Sequence, residues 1–394
     1  MCVLFHRGIL ALLFLITVAY QARHVRFVID YVTGRVGAVS VPITVRQGSP
    51  VIGSVNAEAK EAGVRPGDTL VAVNGQTYRS NAVLNRALKH AQPGDELSVT
   101  VRRQTVPASE ETVRVLLIPK AAIASDQWFF VMVIGLFFPL ACVSLGFWVA
   151  AVRPRDALAW LLLALLLSSS QLFIIGGENG EGTAGSNLAM AYQVLFSQTW
   201  FIWLFLLALY FPTRLSLERR APWLKWLLVI PLGVRAALQL IFMVGLQQDY
   251  AFASLLDRAP GFVGPLLNPL LGPSLPLVAI LLFFVLIGAR YFLEPTRDAR
   301  RRLRLLYAGT SLALLPTLAL LVIGGATGKS LDDFPAWVEL PCLMLTLLFP
   351  LTLAHLIVIH KAMDVSVVVR QGVQYALARG GVTVFQGLLT AALL

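Results

Sequence analysis

The chain is written for two solvents. Eight runs of apolar residues, most long enough to cross a membrane, are interrupted once, between the first and the second, by the mixed, water-compatible segment 21–125. A helix needs about 20 predominantly apolar residues to cross about 30 Å of hydrocarbon. Seven runs qualify after the interruption, at 128–151, 157–175, 192–211, 223–246, 272–292, 305–325 and 338–359. Unpaired backbone groups are not tolerated in lipid, so each run is expected to be a helix. Composition agrees: 57% of residues are hydrophobic and 13% charged, against roughly a quarter charged in soluble domains. The expected fold class is therefore a polytopic α-helical membrane protein with an inserted small α+β domain.

The first run, Val3 to Tyr20, admits two readings. One is an uncleaved anchor over 1–22. The other is a signal peptide cleaved after Thr17-Val18-Ala19. The anchor is favoured because the run continues to Tyr20, an aromatic suited to the membrane interface. Both readings export the segment that follows.

A net charge of +11 raises the question of nucleic acid, but the arginines lie in short loops between apolar runs. One set of connections holds Arg153 and Arg155; Arg214, Arg219, Arg220 and Lys225; Arg290, Arg297, Arg300, Arg301, Arg302 and Arg304; then Lys361 and Arg370. The alternate set holds Arg258 and Lys329 among Glu178, Glu181, Asp249, Asp257, Asp332 and Asp333. Cytoplasmic loops carry the excess of Lys and Arg. The reading is a multi-pass membrane protein with the basic hairpins inside, 21–125 outside, the lipid bilayer as its first partner and no nucleic acid.

Within the exported segment, short strands, two small helices and turns alternate. Val51–Val55 reads as a strand, Ala57–Ala62 as a short helix and Pro66-Gly67-Asp68 as a turn. Leu70–Val73 follows as a strand, and Asn74-Gly75 is a hairpin signal. Asn81–His90 reads as a helix with Val83, Leu84 and Leu88 on one face. Leu97–Arg102 and Val113–Ile118 alternate like half-buried strands. This order, with Ala-Gly-Val-Arg-Pro-Gly-Asp-Thr-Leu-Val-Ala-Val-Asn-Gly at 62–75, resembles a bacterial PDZ domain, over residues 40–119. The resemblance implies capture of a peptide C-terminus or extended segment by strand addition. It implies a groove between Val51, Ile52, Gly53, Ser54 and Val55 on one side and a helix presenting Leu84 and Leu88 on the other. Arg46-Gln47-Gly48-Ser49-Pro50 departs from the carboxylate-binding loop usual in that family.

Charges inside spans are costly and face the bundle interior. Arg235 sits near the middle of 223–246, with Gln239 one turn away. Gln171, Gln193 and Gln198 fall in the outer halves of neighbouring spans, and Glu339 begins the last. Arg235, Gln239, Glu339, Gln171 and Gln198 are the candidate intramembrane polar site, in which Arg235 and Glu339 are expected to pair, directly or through these amides, and to line an externally open pocket. The competing reading is a structural network that fixes helix packing.

Catalytic chemistry finds no motif. HExxH is absent, which removes an intramembrane metalloprotease. Gly309-Thr310-Ser311 lacks a histidine partner and reads as small residues at a helix contact. Cys2, Cys142 and Cys342 give neither disulfide framework nor metal spacing. His355 and His360 are five apart, not the four of a helical metal pair. No catalytic residue, metal or cofactor is assigned.

After the seven-helix region 126–360, the stretch His360-Lys361-Ala362-Met363-Asp364, then Val365-Ser366-Val367-Val368-Val369-Arg370 and Tyr375-Ala376-Leu377, resembles the junction that ends the multi-span sensor region of bacterial signalling proteins. Histidine kinase or serine/threonine phosphatase domains follow it there. An anchor, an external PDZ-like domain and a helical bundle also occur together in competence-type quorum-sensing histidine kinases. The run Gly380–Leu394 ends without flanking charge, so 361–394 is expected to be a cytoplasmic junction and the start of a further helix in a longer chain. The resulting expectation is the input half of a membrane signalling receptor, with homodimerisation implied by analogy. The alternative is an accessory or scaffold subunit that recruits exported peptides to a protease or assembly.

Overall fold

The computed structural model describes residues 2–33, 39–40, 43–45, 49–88, 91–103, 109–119, 128, 131–172, 183–211, 221–249, 274–293, 296–327 and 334–358. The tail 361–394 and the junction motif lie outside the described residues. The chain divides into two compact units, Met1–Leu207 with Ser216–Leu281, and Ala208–Leu215 with Leu282–Leu394.

The first unit begins with α1 (Cys2–Val32), which runs well past the predicted anchor. Its exposed side is apolar: Phe5, Leu12, Phe14, Leu15, Ile16 and Val18. Its buried stripe is Thr17, Tyr20, Gln21, His24 and Val28, the spacing of one helical face. Water would select the reverse arrangement; apolar residues outside and polar residues within suit a helix apolar enough to cross a membrane.

The inserted domain follows. Its elements are β1 (Val39–Ser40), β2 (Ile43–Val45), β3 (Ile52–Val55), α2 (Ala57–Glu61), β4 (Thr69–Val73), β5 (Gln76–Thr77), α3 (Asn81–Leu88), β6 (Glu96–Arg102), β7 (Glu110–Leu116) and β8 (Ile118–Pro119). A four-stranded antiparallel sheet runs β5-β4-β6-β7, and β2 pairs with β3. Alternation along β6 sends Leu97, Val99 and Val101 inward, where they meet Ile52, Ala59, Val64, Leu70, Val73 and Val115. Each such aliphatic side chain, fully buried, contributes about 1.5–3 kcal/mol. Asn74 and Gly75 have φ of 49° and 77°, the two positive values a tight hairpin turn requires. The Asn74 side chain accepts the Ser98 N–H at 3.0 Å and ties that turn to β6. Val39 pairs with Pro119 and Ser40 with Ile118, so the chain enters and leaves the domain side by side, the geometry of an insertion.

The remaining helices begin with a π-helical turn, Val133–Phe137, leading into α4 (Phe138–Val152). Then come α5 (Ala157–Ser169), α6 (Ala184–Tyr210), α7 (Trp226–Gln248), α8 (Ser274–Leu293), α9 (Arg297–Thr327), α10 (Ala336–Thr346) and α11 (Leu348–Val358). Among the described residues six helices are long and apolar enough to cross a membrane; Ala157–Ser169 and the apolar stretch Pro341–Leu353 are shorter. Two expectations change. The run 157–175 is helical only to Ser169, with turns to Leu172. The run 338–359 is two helices with a break at Leu347. Pro350 explains the break: it has no N–H to return to the Thr346 carbonyl four residues back.

In the second unit, α9 packs on α10 and α11. A Cβ added at Gly309 would run into the Thr352 side chain, and the Thr317 hydroxyl donates to the Cys342 carbonyl at 3.0 Å. Close backbone approach at small residues is how membrane helices associate, as the sequence reading of Gly309-Thr310-Ser311 expected.

Candidate functional site

Strand addition requires an unpaired edge. The strand picked from sequence, β3, does not offer one at its start. Ile52 is fully buried, and its backbone is paired on both sides. Val45 faces it across the β2 ladder. On the other side the Ile52 N–H donates to the Asp68 carbonyl at 2.8 Å, and its own carbonyl accepts from Gly67 N–H at 2.9 Å. Val51 bridges Thr69. Among the described residues β2 pairs with β3 alone, so β2 is the outer strand. Ile43 on β2 shares the core with Val83 and Leu84 of α3, and Val45 and Leu88 pack against its margin.

The predicted groove residues therefore divide. Ile52 and Leu84 are buried in the core; Val51, Gly53, Val55 and Leu88 are half-buried; Ser54 is exposed. The Ser54 hydroxyl sits 2.6 Å from the Thr44 hydroxyl across the β2–β3 pair. Arg46, Gln47 and Gly48, the departure from the usual loop, lie outside the described residues.

The turn before β4 is built by its own sequence. The buried Asp68 carboxylate accepts the Arg65 N–H at 2.9 Å, and Gly67 adopts φ 95°, a conformation that favours glycine. That turn is the element that covers the inner edge of β3, which is why the free edge falls one strand further out.

A second polar constellation lies among the helices of the first unit. Arg235 of α7 is buried and donates to the Gln198 side chain of α6. Neighbouring hydroxyls zip α5 to α6: Ser168 and Thr199 approach to 3.4 Å, and Trp200 Nε1 donates to Ser169 at 3.0 Å. Gln171 is buried at the end of α5 and donates to the Ser170 hydroxyl at 2.9 Å. Gln193 and Gln239 are half-buried. The structure thus brings Arg235 and Gln198 together, while Glu339 belongs to the second unit, half-buried in the first turn of α10. The Arg235 partner is an amide.

The polar stripe of α1 went unread in the sequence. His24 Nε2 lies 2.9 Å from the Gly135 carbonyl in the π-helical turn. Pro139 lacks the N–H that would return to that carbonyl, and the imidazole takes its place. Because a carbonyl only accepts, Nε2 carries the proton. Tyr20 stacks on Tyr192 at 4.4 Å between ring centroids, and the Tyr192 hydroxyl donates to Thr17 at 3.1 Å. The signal was available: Thr17, Tyr20, Gln21 and His24 recur at helical spacing across the end of the first apolar run.

The inserted domain reaches the bundle through α3, which packs against α7, and Phe242 of α7 packs against the domain core. Phe242 and Arg235 are seven residues apart, on one face of the helix.

No curated protein matches the chain, and no solved structure matches it. Residues 37–117 match the family described as PDZ domain, with the strand order, glycine turns and groove helix just described. That segment is a PDZ domain, joined to helices apolar enough to span a membrane.

Proposed function

We propose that the chain is the sensory input part of a bacterial membrane receptor, in which the extracytoplasmic PDZ domain captures a peptide C-terminus or extended segment and the helical bundle relays the event. The observation that carries the reading is the outer edge of β2, left without a ladder partner among the described residues and set beside α3 in a PDZ domain. An added strand gains main-chain hydrogen bonds there, and its side chains reach the margin formed by Val45 and Leu88.

Capture must favour one helix arrangement over another, or nothing is relayed. The contact of α3 with α7 supports such a link. A peptide wedged beside α3 bears on the helix whose same face, two turns below Phe242, carries the Arg235–Gln198 hydrogen bond. The arginine-rich connections at the opposite ends of the spans support a cytoplasmic exit for the signal.

The test uses the full chain in lipid nanodiscs, screened against random peptides with free or amidated C-termini. Binding is expected for a subset with free C-termini and is expected to be lost in Leu88→Glu. Binding should also change amide exchange in 226–248. No binding contradicts capture. Binding that leaves 226–248 unchanged favours the accessory or scaffold alternative.

A further inference from the structure

The basic residues of the inner-side connections are used in two different ways. Arg290, buried near the end of α8, donates to the carbonyls of Ala208 at 2.7 Å and Phe211 at 2.5 Å. It caps the last turn of α6, where carbonyls lack helical partners and a cation is favoured. That arginine is consumed by the fold. The arginines at the start of α9 lie on the exposed surface of their helix.

Arg297, Arg300, Arg301 and Arg304 are all exposed, and their spacing of three, four and seven places them on one face of α9. The opposite side is anchored by Leu303, Leu306 and Thr310, fully buried. Arg302 adds a fifth cation in the same two turns. The acids nearby are Asp298 in the first turn and Glu294 just before the helix. This charge excess sits where the helix itself is positive: the unpaired N–H groups and the dipole of an N-terminus favour anions and disfavour cations. Local electrostatics and sequence conflict there, and a bound anion resolves the conflict. Conflicts of this kind are expected at functional positions.

Depth and neighbouring chemistry identify the anion. The apolar span Arg297–Gly324 has 28 residues, about 42 Å of helix at about 1.5 Å per residue. Hydrocarbon accounts for about 30 Å. The surplus is about two turns, the length of the arginine stripe, which therefore lies at the level of phosphate groups. At the end of α8, Phe292 and Leu293 are each 80% exposed, apolar side chains suited to the acyl region just below.

We infer that the Arg297–Arg300–Arg301–Arg304 face of α9, with Phe292 and Leu293, is a binding site for the phosphodiester headgroup of an anionic glycerophospholipid. Guanidinium forks match phosphate oxygens in bidentate geometry, and the lipid tails cover the exposed apolar pair. The inference rests on the membrane-spanning reading above.

The experiment titrates the detergent-purified full chain with phosphatidylglycerol and counts bound lipid by native mass spectrometry. Phosphatidylcholine and inorganic phosphate serve as comparisons. Wild type is expected to hold phosphatidylglycerol in preference to phosphatidylcholine and to keep it in millimolar phosphate. The triple variant Arg297→Gln/Arg301→Gln/Arg304→Gln should lose affinity by about a hundredfold, the loss of about 1 kcal/mol for each of three arginines near an anionic surface at about 1.4 kcal/mol per decade. A matched variant, Arg214→Gln/Arg219→Gln/Arg220→Gln, removes the same charge elsewhere and should retain binding. Monodisperse elution and unchanged helical content check that both variants fold. Equal affinity in wild type and the α9 variant, equal retention of phosphatidylcholine, or displacement by inorganic phosphate would each overturn the site. Release of the chain from membranes by alkaline carbonate would instead defeat the spanning reading.

Discussion

At the residue scale, His24 and Pro139 are linked through one carbonyl. Pro139, four residues after Gly135, has no N–H to donate to its carbonyl, and His24 supplies a donor from a different helix. A buried acceptor stripped of its partner costs about 1–3 kcal/mol. His24→Leu is therefore expected to destabilise the protein by about that amount. In a Pro139→Ala background the backbone N–H returns, and the cost of His24→Leu should fall to a few tenths of a kcal/mol, a non-additivity typical of residues sharing one partner. Thermal unfolding of the four proteins in mixed micelles measures the cycle; an equal cost in both backgrounds contradicts the link. A proline in an apolar run is visible in the sequence as a missing helical N–H. The donor that replaces it is not, because nothing local says which of five histidines reaches a carbonyl more than a hundred residues away.

At the element scale, periodicity identified strands and helices but not their neighbours. The alternation Leu97, Val99, Val101 and the hairpin Asn74-Gly75 are local signals, and the structure contains both elements. Which strand forms the outer edge depends on pairing between segments distant in sequence, so the free edge falls on β2 and not on β3. The same limit applies to Arg235: its cost in a span and the group of amides around it, Gln198 included, were legible, but which of them it bonds was not. The α7 stripe of Arg235, Gln239 and Phe242 makes a checkable prediction. Arg235→Leu breaks the bond to α6, and amide exchange in 81–88 should rise several-fold through Phe242. In a Phe242→Ala background the added effect of Arg235→Leu should disappear. Unchanged exchange of α3 in Arg235→Leu, read in nanodiscs without peptide, contradicts coupling along α7. A separate prediction concerns α9 and α11. Gly309→Ala places a methyl against Thr352, and overpacking of this kind costs about 1–3 kcal/mol. Thr352→Ala should recover part of that loss, since it removes two of the three crowding atoms. Detergent-resistance assays distinguish this from a mobile contact, for which Gly309→Ala would be neutral.

At the scale of the whole molecule, hydropathy was the strongest signal because lipid imposes it on every span. The buried polar stripe and exposed apolar side of α1 carry the same signature in three dimensions. The paired ends β1 and β8 make the PDZ domain an excursion from and back to the helices. Both features are those of a chain folded at the boundary of two solvents, and the proposed topology puts the globular domain on one side and the arginine-rich hairpins on the other. Impermeant maleimide labelling of single cysteines in intact cells, with Cys2, Cys142 and Cys342 replaced, reads that arrangement directly. Asn74→Cys should label and Arg301→Cys should label only after the membrane is opened; labelling of Arg301→Cys with protection of Asn74→Cys would contradict it.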